Sequence, residues 1–348
     1  MRSVRYTETP VKVLTITGSA RSGSTVLDVV LGNHPDIESV GEVNKLICTG
    51  WISRESLRGI NPKRLRRPIC TCGKRLDVLY VDAPDEACPF WASVRREWLE
   101  RTDRESIESY PKLQNEFEPQ IRWPRLLYEK RRASAQFWSY AGLTRAFFES
   151  IRAVSEKPVI VDCSKISVRT LALGMMPGID LYVVHLVRDG RGYITSHRKT
   201  FEEARQAGVI GGHKVRPMWK TAVRKRVVHM VSLARWIVGN LLAEWVYTQL
   251  SPKRAMRLRY EDFVADPKGA LERIGFLLDL DFTDVAVAAS SGAPMQAGHN
   301  VGGNRTKESG IITLRPDAEE WKRALSPTEQ GLSWLLMGWL MRRYGYKR

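Results

Sequence analysis

The sequence predicts an α/β fold with a central, mostly parallel sheet flanked by helices. Three observations predict it. Short β-rich apolar runs alternate with longer stretches of helical periodicity along the 348 residues. The first run ends in a glycine-bearing loop that opens into a helix. A later run, IDLYVVHLVRDGRG at 179–192, passes straight into a basic turn, and open α/β sheets bind ligands at such strand ends.

In chain order, residues 11–17 (VKVLTIT) are a strand by length and composition, ending at Gly18. A helix follows over 24–32, with Val26, Leu27, Val30 and Leu31 at helical spacing and Pro35 just beyond. Residues 48–90 contain Pro, Arg and Cys, are weakly periodic, and read as an insertion. A helical elaboration spans 91–154: a helix over 91–101, polar helices facing solvent over 102–134, and a helix over 135–154. Residues 158–165 (PVIVDCSK) form a second buried strand and 179–192 a third. The long helical region is 219–250. Residues 255–263 (AMRLRYEDF) give a short strand with an acidic exit, and helices follow over 267–279 and 316–344. No internal repeat or low-complexity tract interrupts the pattern, so one domain over 1–348 is expected.

Composition narrows the classes. The 43% hydrophobic and 27% charged content is that of a soluble globular protein. The 55 Lys and Arg exceed the 38 Asp and Glu, and the net charge of +17 points to an anionic ligand, a nucleic acid, an acidic glycan or a membrane surface. The basic residues are scattered and no nucleic-acid motif is present, which argues against nucleic acid. An odd count of 5 cysteines argues against a disulfide-stapled secreted domain. The N-terminus has no apolar run long enough for a signal peptide, and the apolar stretch 227–250 carries Arg235 and Glu244. A cytoplasmic location is the expectation.

Two segments carry chemistry. In TITGSARSGSTVLDVVLGNHP (15–35), Gly18 and Gly23 keep the glycine gap of a phosphate-binding G-x-x-x-x-G-K-[ST] loop, but Ser24 stands where Lys would be. Thr25 follows, and Arg21 lies inside the loop. Backbone N–H groups of such a turn and of the following helix start make an anion nest. Ser22, Ser24 and Thr25 add hydroxyls, and Arg21 adds charge. The sheet is thus expected to be a P-loop nucleotide-binding fold, although the spacing also fits an unliganded turn. In LVRDGRGYITSHRK, Arg188 ends the third strand and Ser196 follows eight residues on, with Arg191 and Arg198 nearby. Alone, that segment also fits a solvated basic helix start. Together, the two anion sites suggest a nucleotide with phosphates at both ends of its ribose.

GSARSGST, LVRDGRGYITS and RLRYEDFVADP (257–267), in this order, resemble the sulfotransferases that use 3′-phosphoadenosine-5′-phosphosulfate (PAPS). The branch resembled is the bacterial and Golgi type, with Arg-Ser-Gly in the loop rather than Lys-Ser-Gly. VDCSK and HNVGGNRTK are similar to segments of bacterial members, and the resemblance runs from residue 11 to about 325. It explains the missing lysine. That lysine serves β- and γ-phosphates and its Ser/Thr neighbour holds Mg²⁺, whereas PAPS has no γ-phosphate and requires no metal.

Carried over residue by residue, the resemblance implies that Arg21, Ser22, Gly23, Ser24 and Thr25 hold the 5′-phosphosulfate. Arg188 and Ser196 would hold the 3′-phosphate. Gly302, Gly303, Asn304 and Arg305 are similar to a glycine loop that closes on the cofactor, though the match is loose. Glu42, 21 residues after Arg21, resembles by its spacing the catalytic glutamate of the protein-tyrosine branch. It would take the acceptor proton, with His34 and His299 in reserve; the plainer reading is a glutamate at a helix N-terminus. Lys165 is either a surface lysine at a strand end or a cation that offsets charge on the leaving phosphate. The implied reaction moves a sulfuryl group from PAPS to a hydroxyl on a glycan, lipid, tyrosine or small molecule. Membrane-surface contact would follow if the acceptor is a lipid.

Two other readings compete: a P-loop small-molecule kinase, with Arg21 replacing the lysine and Asp162 holding Mg²⁺, and a basic nucleic-acid-binding protein. Cys48, Cys70, Cys72 and Cys88 all fall in the insertion, where four thiolates suit a structural zinc. Their spacing does not make two C-x-x-C knuckles, so unpaired thiols are expected and no metal site is assigned, although CTCGK and ACPFW resemble a cysteine-bearing segment of bacterial sulfotransferases. Trp51, Phe90 and Trp91 are expected in the core rather than in an acceptor pocket.

Overall fold

The computed structural model describes residues 8–52, 69–77, 84–206, 221–303, 309–314 and 318–348. Five parallel strands form its sheet: β1 (Val11–Thr17), β2 (Ile37–Gly41), β3 (Val159–Asp162), β4 (Ile179–Val187) and β5 (Ala255–Arg259). Their order is β2-β3-β1-β4-β5, with Val13 opposite Ile160 on one side and Leu181 on the other. The chain therefore starts at the centre, builds one half of the sheet, and crosses β1 to build the other. β1 is buried on both faces except at Lys12, which is why it reads as a continuous apolar run rather than an alternating one.

The expected α/β architecture is the one observed, with differences in detail. β2 was not foreseen because its sequence, IESVG, carries buried polar residues. Ser39 donates to Asp28 at 2.6 Å and Glu38 pairs with Lys157 at 3.2 Å, so tertiary partners satisfy what the local sequence cannot. Helix α1 (Ser24–Leu31) follows the glycine loop as expected.

Helices α2 (Pro89–Arg101), α3 (Arg104–Phe117), α4 (Trp123–Arg131) and α5 (Ala135–Ser155) form the elaboration before β3. The polar stretch 102–134 does more than face solvent. Phe117 and Leu126 are fully buried, and buried Glu118 accepts from Tyr140 at 2.8 Å and ion-pairs with Arg169. A narrow apolar stripe and a buried ionic network replace the wide apolar face that would have marked these helices as packed. Trp51 and Trp91 join Trp98 and Phe147 in one aromatic cluster, as expected, with Trp51 and Trp98 stacked at 5.9 Å. Of the insertion, residues 53–68 and 78–83 lie outside the described residues.

Two short or polar helices, α6 (Ser167–Leu173) and α7 (Gly190–Gln206), follow β3 and β4. The long α8 (Thr221–Thr248) returns the chain to β5. Helices α9 (Tyr260–Ala265), α10 (Pro267–Leu278) and α11 (Thr283–Ser290) come next, with α10 and α11 packing with α1 against one sheet face. A two-stranded hairpin, β6 (Met295–Gln296) and β7 (Ile311–Ile312), precedes α12 (Trp321–Ala324) and α13 (Pro327–Arg343). The expected C-terminal helix is thus two, separated where Ser326 and Glu329 form a capping box ahead of Pro327. Among the described residues no helix is long and apolar enough to cross a membrane.

Candidate functional site

The carboxyl ends of four adjacent strands carry the residues that the sequence singled out. Across the sheet, β2 leads to Glu42, β3 to Lys165, β1 to Arg21 and β4 to Arg188. The crevice of an open α/β sheet forms beside the strand where the chain reverses direction, here β1.

The β1 loop is shaped by two close approaches. Gly18 and Gly23 have φ of 143° and 89°. A Cβ on Gly18 would lie 2.4 Å from the Leu186 carbonyl oxygen, and one on Gly23 would lie 2.0 Å from the Tyr260 ring. Only glycine fits either place. Arg21 also has a left-handed backbone, φ 67°. Ser24 and Thr25 are buried in the first turn of α1. Ser22 Oγ is buried with no hydrogen-bond partner among the described residues.

Arg188 meets this loop directly. Its Nη1 donates to the Arg21 carbonyl at 3.4 Å, and its guanidinium lies 4.8 Å from the centre of the Tyr260 ring. Its Nε is buried without a hydrogen-bond partner among the described residues. The turn is fixed from behind: Trp236 Nε1 donates to the Arg188 carbonyl at 2.9 Å, and the Asp189 amide donates to Glu261 at 2.9 Å. Ser196 sits half-buried in the second turn of α7. The neighbouring arginines turn elsewhere. Arg191 pairs with Asp189 at 2.7 Å and lies over Trp321, and Arg198 pairs with Glu329 at 2.6 Å.

Glu42 is 4% exposed. Lys165, itself left-handed at φ 59°, places Nζ 2.6 Å from Glu42 Oε1, and Lys45 ion-pairs with Oε2. Beside them runs the segment before Gly302. Val301 bridges Gly41 as an extension of the sheet edge, and the Glu42 amide donates to the Val301 carbonyl at 2.7 Å. Gly302 then abuts Glu42 and Lys45, where an added Cβ would come within 3.2 Å of both side chains. Gly303 follows, while Asn304 and Arg305 lie outside the described residues.

An open cleft of about 720 Å³ lies at the ends of β1 and β3, lined by Ser19, Arg21, Lys165, Tyr193, His197 and Arg235, while Glu42 and Arg188 stand outside its lining. Tyr193, His197 and Arg235 were not singled out from sequence. Tyr193 and His197 face the same side of α7 four residues apart, with rings stacked at 6.0 Å, a spacing visible in GYITSH. Arg235 comes from α8 and left no local signal. Burial, then Arg235 and Arg21, hold the His197 pKa below its ordinary value. Burial raises that of Tyr193. Arg235 Nη1 approaches His197 Nε2 at 3.5 Å, and His197 Nδ1 bonds Ser232 at 3.0 Å, an arrangement of a neutral imidazole protonated at Nδ1.

A model of the sulfotransferase family matches residues 14–284 of this sequence. The chain belongs to the sulfotransferase family. The sulfotransferase domain of the Synechococcus PCC 7002 olefin synthase shares the fold: it is 18% identical, with 100% of this chain and 99% of that one covered and a TM-score of 0.52. Also similar are the sulfotransferase domain from the curacin biosynthetic pathway (15% identity, 98% and 99% covered, TM-score 0.46) and a sulfotransferase from Mycobacterium avium (13%, 98% and 79%, 0.45). A comparison with curated protein sequences gives no match. Family membership and fold support a sulfotransferase activity.

Within this sulfotransferase fold, other residues raised by the sequence have different duties. Asp162, the carboxylate that a kinase would need for Mg²⁺, is 1% exposed. Arg169 Nε donates to it at 2.8 Å, and the Ser164 amide donates at 2.8 Å. It is a structural anion rather than a cleft residue. His34 lies at the opposite end of β2, with Nε2 bonded to the Asp281 carbonyl at 2.9 Å and Nδ1 accepting from the Asp36 amide at 3.1 Å. His299 gathers with Cys70, Cys72 and Cys88, and Phe90 stacks on its ring at 4.9 Å. Neither reserve histidine reaches the cleft. Cys48 stands apart from the thiol group, which removes the all-cysteine set considered from spacing.

Proposed function

We propose that the chain transfers a sulfuryl group from PAPS to a hydroxyl acceptor, and that residues 1–348 act as one sulfotransferase-like domain. The observation that carries the reading is the contact of Arg188 with the Arg21 carbonyl, which makes two anion-binding turns neighbours. Each turn carries a buried donor that has no hydrogen-bond partner among the described residues, Ser22 Oγ in one and Arg188 Nε in the other. Unpaired buried polar groups are costly, and a ligand rich in anionic oxygen satisfies both. This fits a nucleotide phosphorylated at both ends of its ribose.

When bound, PAPS supplies an activated sulfuryl group and a stable phosphate leaving group. The loop from Arg21 to Thr25 holds the 5′ end through backbone amides and hydroxyls. Arg188 and Ser196 hold the 3′-phosphate, and the Gly302–Gly303 turn lies against the nucleotide. Glu42 accepts the acceptor's proton. Lys165 shares Glu42 at rest and offers its ammonium to the cleft, where it offsets negative charge during transfer. No metal is required by these roles. The acceptor is a glycan, lipid, tyrosine or small-molecule hydroxyl that fits beside Tyr193 and His197.

The test is a thermal-shift titration with 3′,5′-adenosine bisphosphate, the desulfated product, against ATP with Mg²⁺, followed by radiolabelled PAPS with a panel of hydroxyl acceptors. Stabilisation by the bisphosphate and labelling of an acceptor are expected. No stabilisation by the bisphosphate would remove the reading. A second base, His197, is favoured by its place in the cleft and its neutral imidazole. The reading predicts that Glu42→Gln lowers turnover by about 10²–10⁴-fold while His197→Gln retains it; the opposite pattern assigns the proton to His197.

A further inference from the structure

Among the described residues, one group of ligating side chains lies outside the cleft. Cys70, Cys72, Cys88 and His299 bring their donor atoms within 4.8 Å of one another. Cys72 Sγ and Cys88 Sγ are 3.6 Å apart. His299 Nδ1 is 3.4 Å from Cys88 Sγ and 3.9 Å from Cys70 Sγ. In tetrahedral zinc with Zn–S near 2.3 Å and Zn–N near 2.0 Å, sulfur–sulfur edges are about 3.8 Å and sulfur–nitrogen edges about 3.5 Å. The three separations match those edges to within a few tenths of an ångström.

We infer that Cys70, Cys72, Cys88 and His299 form a structural zinc site of the Cys₃His type. Three separate stretches of chain converge to make it, and each is independently fixed. The turn 70–73 is closed by the Gly73 amide donating to the Cys70 carbonyl at 3.0 Å, and the Cys70 amide donates to Lys74 at 2.8 Å. Cys88 is the N-cap residue of α2, and its amide donates to the Arg75 carbonyl at 2.9 Å. His299 is held through its backbone: Trp91 Nε1 donates to its carbonyl at 2.8 Å, and Thr71 Oγ1 donates to the Gly298 carbonyl at 2.6 Å. Phe90 covers one face of the imidazole. Such a frame holds the ligands before the metal arrives, which a chance meeting of thiols does not need.

The set supplies four protein ligands and leaves no open position, the arrangement of structural rather than catalytic zinc. Binding releases the thiol protons to solvent and involves no change of oxidation state. The site has a mechanical consequence. Val301, two residues after His299, pairs with Val40 and Glu42 at the sheet edge. Zinc would therefore tie the insertion and α2 to the segment that lies against Glu42. This does not depend on the identity of the sulfuryl donor.

The experiment is elemental analysis of the full chain purified without chelator. About one zinc per chain is expected, as for a closed four-ligand site. Metal-depleted chain should take up Co²⁺ with thiolate charge-transfer and tetrahedral d–d absorption, a readout that needs no variant to fold. Cys72 is exposed, so Cys72→Ser disturbs no core; it and His299→Ala should lose the metal, while Cys48→Ser should keep it. Zinc removal should speed amide exchange at Val301 and Glu42. The inference is overturned if the purified chain holds no zinc and takes up no Co²⁺, if mass spectrometry finds a Cys72–Cys88 disulfide in the isolated protein, or if His299→Ala retains full metal.

Discussion

Lys165 Nζ lies 2.6 Å from Glu42 Oε1, joining the ends of two neighbouring strands in one ion pair. With Lys45 on the other oxygen, the Glu42 carboxylate is flanked by two ammonium groups. A general base must be ionised to act. Glu42→Gln keeps the shape and removes the carboxylate proposed as the base. Its kcat for sulfuryl transfer should fall by about 10²–10⁴-fold, while the thermal shift given by the adenosine bisphosphate stays unchanged. Loss of bisphosphate binding together with activity would show that Glu42 serves the fold of the site instead.

Ser22 and Arg188 should separate stability from ligand binding. Ser22→Ala removes a buried hydroxyl that has no partner among the described residues, so the unliganded protein should gain about 1 kcal/mol in urea unfolding. The same variant should bind the bisphosphate more weakly. Arg188→Ala should raise the Kd by roughly 10–150-fold, from about 1.5–3 kcal/mol for hydrogen bonds to a charged group. Isothermal titration measures both.

Gly23→Ala tests the shape of the loop. The added carbon meets the Tyr260 ring, and the backbone is left-handed. A loss of roughly 2–4 kcal/mol is expected from overpacking plus backbone strain. Pairing it with Tyr260→Ala should recover part of that loss; no recovery would mean the backbone cost dominates.

Arg169 bridges Asp162 and Glu118 in the interior, with all three nearly inaccessible to solvent. Removing one partner strands buried charge, so Arg169→Met should cost about 3–5 kcal/mol in denaturant unfolding. Asp162→Asn should leave nucleotide preference unchanged. A switch in Mg²⁺-dependent ATP binding would contradict the structural role of this carboxylate.

His185 sets a pH dependence. It is buried in β4, accepts from Arg257 Nε at 3.2 Å, and faces Asn240 at 3.4 Å, with Glu244 paired to the same arginine. Burial, then Arg257, push its pKa down to about 3. Below about pH 6.5 the unfolded chain binds a proton here that the folded chain refuses, so stability falls as pH falls, at up to about 1.4 kcal/mol per pH unit. The contribution is lost progressively down to about pH 3. Between pH 6.5 and 5, before most carboxylates titrate, unfolding free energies of the wild type should drop more steeply than those of His185→Gln.

Much of the site was legible because local chemistry carries it. The loop from Gly18 to Thr25 announces itself through glycines that a tight turn needs, and Arg188 through its place where an apolar strand ends. Tyr193 and His197 were written one helical turn apart, but neither was given a role from the sequence. The thiol group was half legible: three cysteines of the insertion, without the histidine more than two hundred residues away in sequence.

The sequence by itself determined the parallel α/β class, four of the five strands, the glycine loop and the basic turn, because periodicity and backbone sterics act over a few residues. Only the tertiary structure decided that β2 is a strand, that Glu42 and Lys165 are partners, that Asp162 is spent on Arg169, and that His299 joins Cys70, Cys72 and Cys88. Those outcomes depend on which distant groups satisfy a buried charge or hydrogen bond, and pairing across the sheet assigns them where no local pattern can.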